Sequence, residues 1–293
     1  MSLQKQVEKT SQIGLSHARE ETRYIVTGKT MYAADMELPR MLHGAILRSS
    51  QPHANIVSFD TKKAEKLPGV IAVLTARDLP EVRYGSIVQD RYVLAKDRVR
   101  YVGEAVAAVA ADSPQIAQKA LSLIEVQYDP LPAIFDAERA IAEDEKIVLH
   151  PDYQKYQKKV PQDKAKSGTH HASVGAPKKN VSGFAVVNVG DPERAFETAD
   201  YLFENKFTTA KAQSCPMAPH AALARVEFDG GITVWAESVL PHRLRGELAR
   251  VLNLPPSKVR LIVPMVGGSY GAKSTMEVAH ICAALSLKTG RPV

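Results

Sequence analysis

Cysteine, tryptophan and long apolar runs are what this 293-residue chain has least of. Its two cysteines, Cys215 and Cys282, offer neither a disulfide framework nor the ligand spacing of a zinc site. No apolar run approaches the roughly 20 residues that would span a bilayer. The first residues, MSLQKQVEKTSQ, are polar and lack the apolar centre of a signal peptide. These absences predict no membrane span, no direct metal ligation and a reducing, cytoplasmic setting.

The apolar share of 45% and charged share of 24% are ordinary for a globular chain. The length allows two domains with sizeable cores. The net charge of +6 suggests nucleic-acid binding only until it is located. Residues 152–180 hold Lys155, Lys158, Lys159, Lys164, Lys166, Lys178 and Lys179 against Asp152 and Asp163 alone. Almost all of the excess therefore lies in one polar stretch, which reads as a solvated connector rather than a nucleic-acid surface.

Residues 41–50, 55–60, 70–79, 102–112 and 124–128 read as strands, the fourth fully buried. Ser113-Pro114 opens a helix, with Ser as N-cap and Pro at the first helical position. The spacing of Ile116, Ala120 and Leu123 gives that helix one buried face. Strands and helices alternate without a βαβ rhythm, which points to an α+β domain. Further on, Asp191-Pro192 repeats the helix start, and residues 201–209 alternate as a half-buried strand with Tyr201, Phe203 and Phe207 on one face. Asp229-Gly230-Gly231 marks a hairpin, Pro241 opens a helix, and residues 258–263 form the next strand. The last helix, near 275–288, is apolar on most sides and predicted to be buried. The closing TGRPV reads as the lead-in to another strand, so the expectation is a truncated chain.

Between that last strand and last helix stands VGGSYGAK, residues 266–273. A strand, a glycine-rich turn and a helix present backbone N–H groups to an anionic ligand. The spelling fits neither common phosphate motif. Ala272 separates Gly271 from Lys273, which a P-loop would join, and Val266 stands where the dinucleotide fingerprint needs glycine. On local grounds the loop is a ligand cradle or a tight structural turn, and Lys273 a phosphate contact or a cap.

The order of these segments resembles the xanthine dehydrogenase/aldehyde oxidase/carbon monoxide dehydrogenase family. VTGKTMYAADMELPRMLHGAILRSSQPHANI, LPGVIAVLTARDLP, VRYVGEAVAAVAAD and IEVQYDPLPAIFDAERAI are similar to its a/b hammerhead domain. PMAPHAALARVE and PHRLRGELARVLNLPPSKVRLIVPMVGGSYGAK resemble the opening of its molybdopterin-binding domain. The resemblance implies a tail at 1–21, a hammerhead domain at 22–140, a lysine-rich linker at 141–182 and a truncated molybdenum-cofactor-binding α/β domain at 183–293.

It also implies a function. Members hydroxylate an aldehyde or N-heteroaromatic carbon with water as oxygen source, using a molybdenum–pterin cofactor. Electrons leave through 2Fe-2S and FAD centres, carried in the bacterial three-subunit type by an iron–sulfur subunit and an FAD subunit. A dimer of such heterotrimers acting on a small molecule is the implied assembly, and bacterial members imply the cytosine dinucleotide form of the pterin. Carried over by position, Gly267, Gly268, Ser269, Tyr270, Gly271, Ala272 and Lys273 become the cofactor loop, with Tyr270 in the place of the aromatic beside the metal. Val239 stands where a glutamine commonly contacts an oxygen on the metal, and Ser274 where purine-handling members carry an acid. Ala218 replaces the glutamate of Met-Glu-Pro. The family's catalytic glutamate belongs to a later part of its domain, so no catalytic residue is expected here and this piece alone is expected to be inactive. These departures keep open a second reading, a non-catalytic relative serving assembly or binding. His220 and His242 read as packing or capping groups, His170-His171 as linker residues, and Glu104 as a structural hydrogen-bonding group.

Overall fold

The computed structural model describes residues 14–85, 88–142, 144–156, 171–174, 180–181 and 185–293. Most of the lysine-rich run lies outside the described residues, and so does His170.

In chain order the strands are β1 (His43–Arg48), β2 (Ala54–Asp60), β3 (Val70–Thr75), β4 (Arg98–Val99), β5 (Ala105–Ala111) and β6 (Glu125–Pro130). They are followed by β7 (His171–Val174), β8 (Ala185–Asn188), β9 (Ala222–Val226), β10 (Ile232–Ala236) and β11 (Val259–Ile262). The helices are α1 (Thr22–Val26), α2 (Lys62–Glu65), α3 (Pro114–Leu121), α4 (Ala137–Ile141), α5 (Pro192–Thr198), α6 (Pro241–Val251) and α7 (Glu277–Thr289).

The first half builds two antiparallel sheets, ordered β1-β5-β3 and β4-β2-β6. β5 is the axis of the first. Every residue of AVAAVAA is buried, because both faces of this central strand are covered. Its alanines leave room for α3 on one side, where Ala117 and Ala120 are buried in the same core cluster. The Ser113 Oγ accepts from Ile116 N–H at 3.2 Å, as its N-cap position predicts. Although β1 and β2 are consecutive, the turn at 51–53 sends them to different sheets rather than into a hairpin.

The second half forms a three-stranded sheet ordered β11-β10-β9. The Asp229-Gly230-Gly231 turn does join an antiparallel pair, β9 with β10, while β11 runs parallel to β10 after crossing over through α6. The outer edge of β9 is met by Val293, whose N–H and C=O both bond Ala224, at 3.0 and 2.9 Å.

α7 lies between the two halves. Its residues Ala279 to Ser286 are all buried, as an all-round apolar helix requires. One core joins Leu42, Leu74 and Ala108 of the first half to Val234, Leu248 and Leu285 of the second. Polar ties reinforce it: Leu42 N–H donates to Pro292 C=O at 2.7 Å, and Lys288 reaches Val73 C=O at 2.7 Å and Asp78 at 2.5 Å.

One predicted strand is absent. Residues 201–209 have no ladder partner among the described residues, and Tyr201, Phe203 and Phe207 are at least 80% exposed. Alternation along a sequence specifies a chain with two unlike faces, but it cannot supply the sheet against which one face would close.

Candidate cofactor loop and its anchors

The glycine loop leaves β11 and ends in a short 3-10 turn, Ala272–Ser274, before α7. Gly267, Gly268 and Gly271 have φ of 64°, 95° and 90°, a region that side chains strain to occupy. At Gly267 a second reason operates. A Cβ there would lie 2.4 Å from Ala218 Cβ and 2.8 Å from Tyr32 Cε1. The loop thus lies directly against the first half of the chain. Tyr270 is left-handed as well, at φ 49°, and the residue is 77% exposed.

The loop closes on itself. Ala272 N–H donates to Ser269 C=O at 2.9 Å, and Lys273 N–H to Ser269 Oγ at 3.2 Å. Among the described residues, the N–H groups of Gly267, Gly268, Ser269, Tyr270 and Gly271 have no acceptor. A run of unpaired amides in left-handed turns is an anion-binding arrangement, and nothing lies within 4 Å of the place a Cβ would take at Gly271. The loop's chemistry therefore fits an oxygen-rich anionic group such as a pterin phosphate, held by backbone rather than by side chains.

The Lys273 side chain does not take part in that outer face. It is fully buried and its ammonium is bonded to the equally buried Glu237 carboxylate and, at 2.5 Å, to Val266 C=O. The other Glu237 oxygen accepts from Ala33 N–H at 3.0 Å. Sequence reading missed Glu237. Its signal was an acid placed directly after the apolar strand ITVWA, where a solvated carboxylate has no business unless a partner is brought to it.

Both substrate-pocket candidates come to the loop's end. Val239 N–H donates to Lys273 C=O at 3.2 Å, which sets Val239 beside Ser274. Val239 is 42% exposed and Ser274 partly buried. His220 and His242 are exposed, and among the described residues no group of three metal-ligating side chains occurs. Glu104 accepts from Arg100 N–H at 2.7 Å, and burial raises its carboxyl above the usual range. It is an internal hydrogen-bonding group. Burial likewise pushes the Cys282 thiol up to about 12, where it is inert.

A two-sheet α+β unit and a unit bearing a glycine loop with unpaired amides thus share one buried helix. The comparisons with known proteins make this specific. Residues 27–132 match the aldehyde oxidase and xanthine dehydrogenase a/b hammerhead domain, and residues 173–293 match the molybdopterin cofactor-binding domain. The chain belongs to the xanthine dehydrogenase/aldehyde oxidase/carbon monoxide dehydrogenase family. It is 37% identical, over 95% of its length and 34% of the relative's, to a probable xanthine dehydrogenase subunit of Bacillus subtilis. It is 34% identical to the nicotinate dehydrogenase large molybdopterin subunit of Eubacterium barkeri, over 96% of this chain and 60% of that one. The reconstituted CO dehydrogenase structure from Oligotropha carboxidovorans superposes with a TM-score of 0.79 at 30% identity, covering 99% of this chain and 35% of that chain. The chain thus spans about a third of the length of two of these three relatives.

Proposed function

We propose that this chain forms the hammerhead and the first cofactor-facing portion of a molybdenum hydroxylase large subunit. The observation that carries the reading is the loop at 266–273, whose unpaired amides stand in the region matching the molybdopterin cofactor-binding domain. When bound, the molybdenum–pterin group supplies the redox centre for oxidative hydroxylation of a carbon with water as oxygen source. This chain's part is to receive the cofactor's oxygens on the amides of residues 267–271, to hold Tyr270 at the rim, and to shape one wall with Val239 and Ser274. The cytosine dinucleotide form of the pterin, the iron–sulfur and FAD subunits as electron acceptors, and a dimer of heterotrimers complete the proposal.

The substrate class follows from the wall. A carboxylate after the loop lysine would give a purine ring a charge-assisted hydrogen bond worth about 1.5–3 kcal/mol. Ser274 offers a shorter neutral hydroxyl. A small aldehyde or an N-heteroaromatic acid suits this wall better than a purine, and the similarity to a nicotinate dehydrogenase large subunit supports that choice. Purification of the full-length subunit with its partners tests the proposal through molybdenum and pterin content and through kcat/KM on xanthine, nicotinate and benzaldehyde. A complex free of molybdenum would overturn the reading, and a kcat/KM highest for xanthine would overturn the substrate class.

Val239 and Ala218 carry a second reading, a cofactor-holding or assembly relative without turnover, since neither side chain can hydrogen-bond. A complex that contains molybdenum yet oxidises none of the three classes would favour it.

A further inference from the structure

We infer that Lys273 and Glu237 are positioning residues of the cofactor loop, acting as one buried clamp, and that the lysine does not touch the cofactor's phosphate. The inference rests on the molybdenum-hydroxylase reading and adds to it how the cradle is held. Four pieces of chain meet at this pair. Glu237 follows β10 and accepts from Ala33 of the first half. Lys273 ends the loop, yet its ammonium returns to Val266 C=O at the loop's beginning. Its own C=O accepts from Val239 N–H. The same cation therefore joins the two ends of the loop, while its counter-ion joins the loop to the hammerhead turn at Tyr32-Ala33. Tyr32 is the residue on which Gly267 rests.

The physical argument is one of cost and geometry. Two charges fully withdrawn from water are expensive, and a pair of similar-sized apolar side chains would stabilise the fold as well or better. What apolar side chains could not do is fix Val266, Ala33 and Lys273 at hydrogen-bonding distances from a single point. Amides that receive an anion must be held in place before it arrives, because each ångström of slack weakens several bonds at once. An ammonium already saturated by Glu237 and Val266 C=O has no inducement to leave for a phosphate at the loop's outer face.

The test uses the full-length subunit in its complex. Lys273→Met leaves Glu237 buried and uncompensated. It should lower the thermal midpoint and reduce molybdenum per intact, size-fractionated complex at least fivefold. Glu237→Gln combined with Lys273→Met leaves no buried charge, and the amide oxygen can still accept from Ala33. This double variant should recover the midpoint while molybdenum and pterin content stays at least fivefold down, because methionine cannot donate to Val266 C=O and the two ends of the loop are no longer joined. Return of cofactor to within twofold in the double variant would show that the ammonium does not position the loop, and would overturn the inference. So would a Lys273→Met complex with full cofactor content. A third measurement does not depend on the variants. Acetylation of the unsubstituted complex, mapped by peptide mass, should spare Lys273 before and after cofactor extraction, and modification appearing only after extraction would refute the clamp. If the unsubstituted complex holds no molybdenum, the functional reading fails, while protection of Lys273 and the pattern of thermal midpoints still judge the clamp.

Discussion

At Gly267 and Gly271 the same residue type serves different needs, and substitution separates them. Both have positive φ, which costs an alanine about 1–2 kcal/mol. At Gly271 nothing else opposes a methyl group. At Gly267 a methyl would also drive into Ala218 and Tyr32. Gly267→Ala is therefore expected to lower the thermal midpoint well beyond Gly271→Ala, whose effect on stability should be about 1 kcal/mol. Equal shifts in the two variants would contradict the close packing of the loop on Tyr32. His280 gives a residue-scale prediction in pH. Its ring is wholly buried between Tyr84, 4.5 Å away centroid to centroid, and Glu247, whose carboxylate is 3.8 Å from Nε2. Burial, with the Arg250 charge nearby, lowers its pKa from the ordinary 6.5 to about 4. The unfolded chain then binds a proton between these values that the folded chain refuses, so stability falls as pH drops from about 6.5 to about 4 and is not lost further below. The total is about 3 kcal/mol. Carboxylates titrate in the same window, so the measurement is the difference between the unsubstituted chain and His280→Phe. The stability of the unsubstituted chain relative to His280→Phe should fall toward acid pH, and a constant difference would show that the fold leaves the His280 pKa at its ordinary value.

The elements whose start signals are local were legible. Ser113-Pro114 and Asp191-Pro192 begin helices because the cap oxygen and the ring each act within one turn. Ser113→Ala should cost about 1 kcal/mol, read as a lower thermal midpoint, and Ser113→Asp should restore it. The hairpin at 229–231 and the buried strand at 105–111 were equally plain, one from its turn residues and the other from an unbroken apolar run. Residues 201–209 show the limit of such reading. Their period of two is that of a strand, but a strand exists only where a neighbour completes its ladder. Val293 shows the converse case, a single residue outside any named strand that bonds fully to the edge of β9.

For the whole molecule, the decisive element is α7, which belongs to the second half by sequence and to both by packing. Leu285 is 1% exposed, sits in the shared core, and would lie 3.5 Å from a Cβ placed on Gly44 of β1. Leu285→Ala should cost about 3 kcal/mol. Because the core is continuous, calorimetry should show one cooperative transition moving down as a unit rather than one of two transitions moving alone. The proposed division at 141–182 is tested separately by brief trypsin treatment, which should cut first between Lys155 and Lys179. Early cuts within residues 40–130 would reject it.

The amino-acid sequence by itself determined the helix starts, the hairpin, the buried strand and helix, and the order of motifs that places the chain in its family. Each of these rests on interactions between residues close in sequence, or on a spelling that survives without coordinates. Only the tertiary structure decided what Lys273 does. A lysine at the end of a glycine loop is compatible with a phosphate contact until Glu237, 36 positions away, is seen closing on it. It also decided that Ala33, 204 positions from Glu237, completes the arrangement. The cost of burying a charge is felt at one place in space, and the partners that offset it come from wherever the chain happens to pass, which no local pattern records.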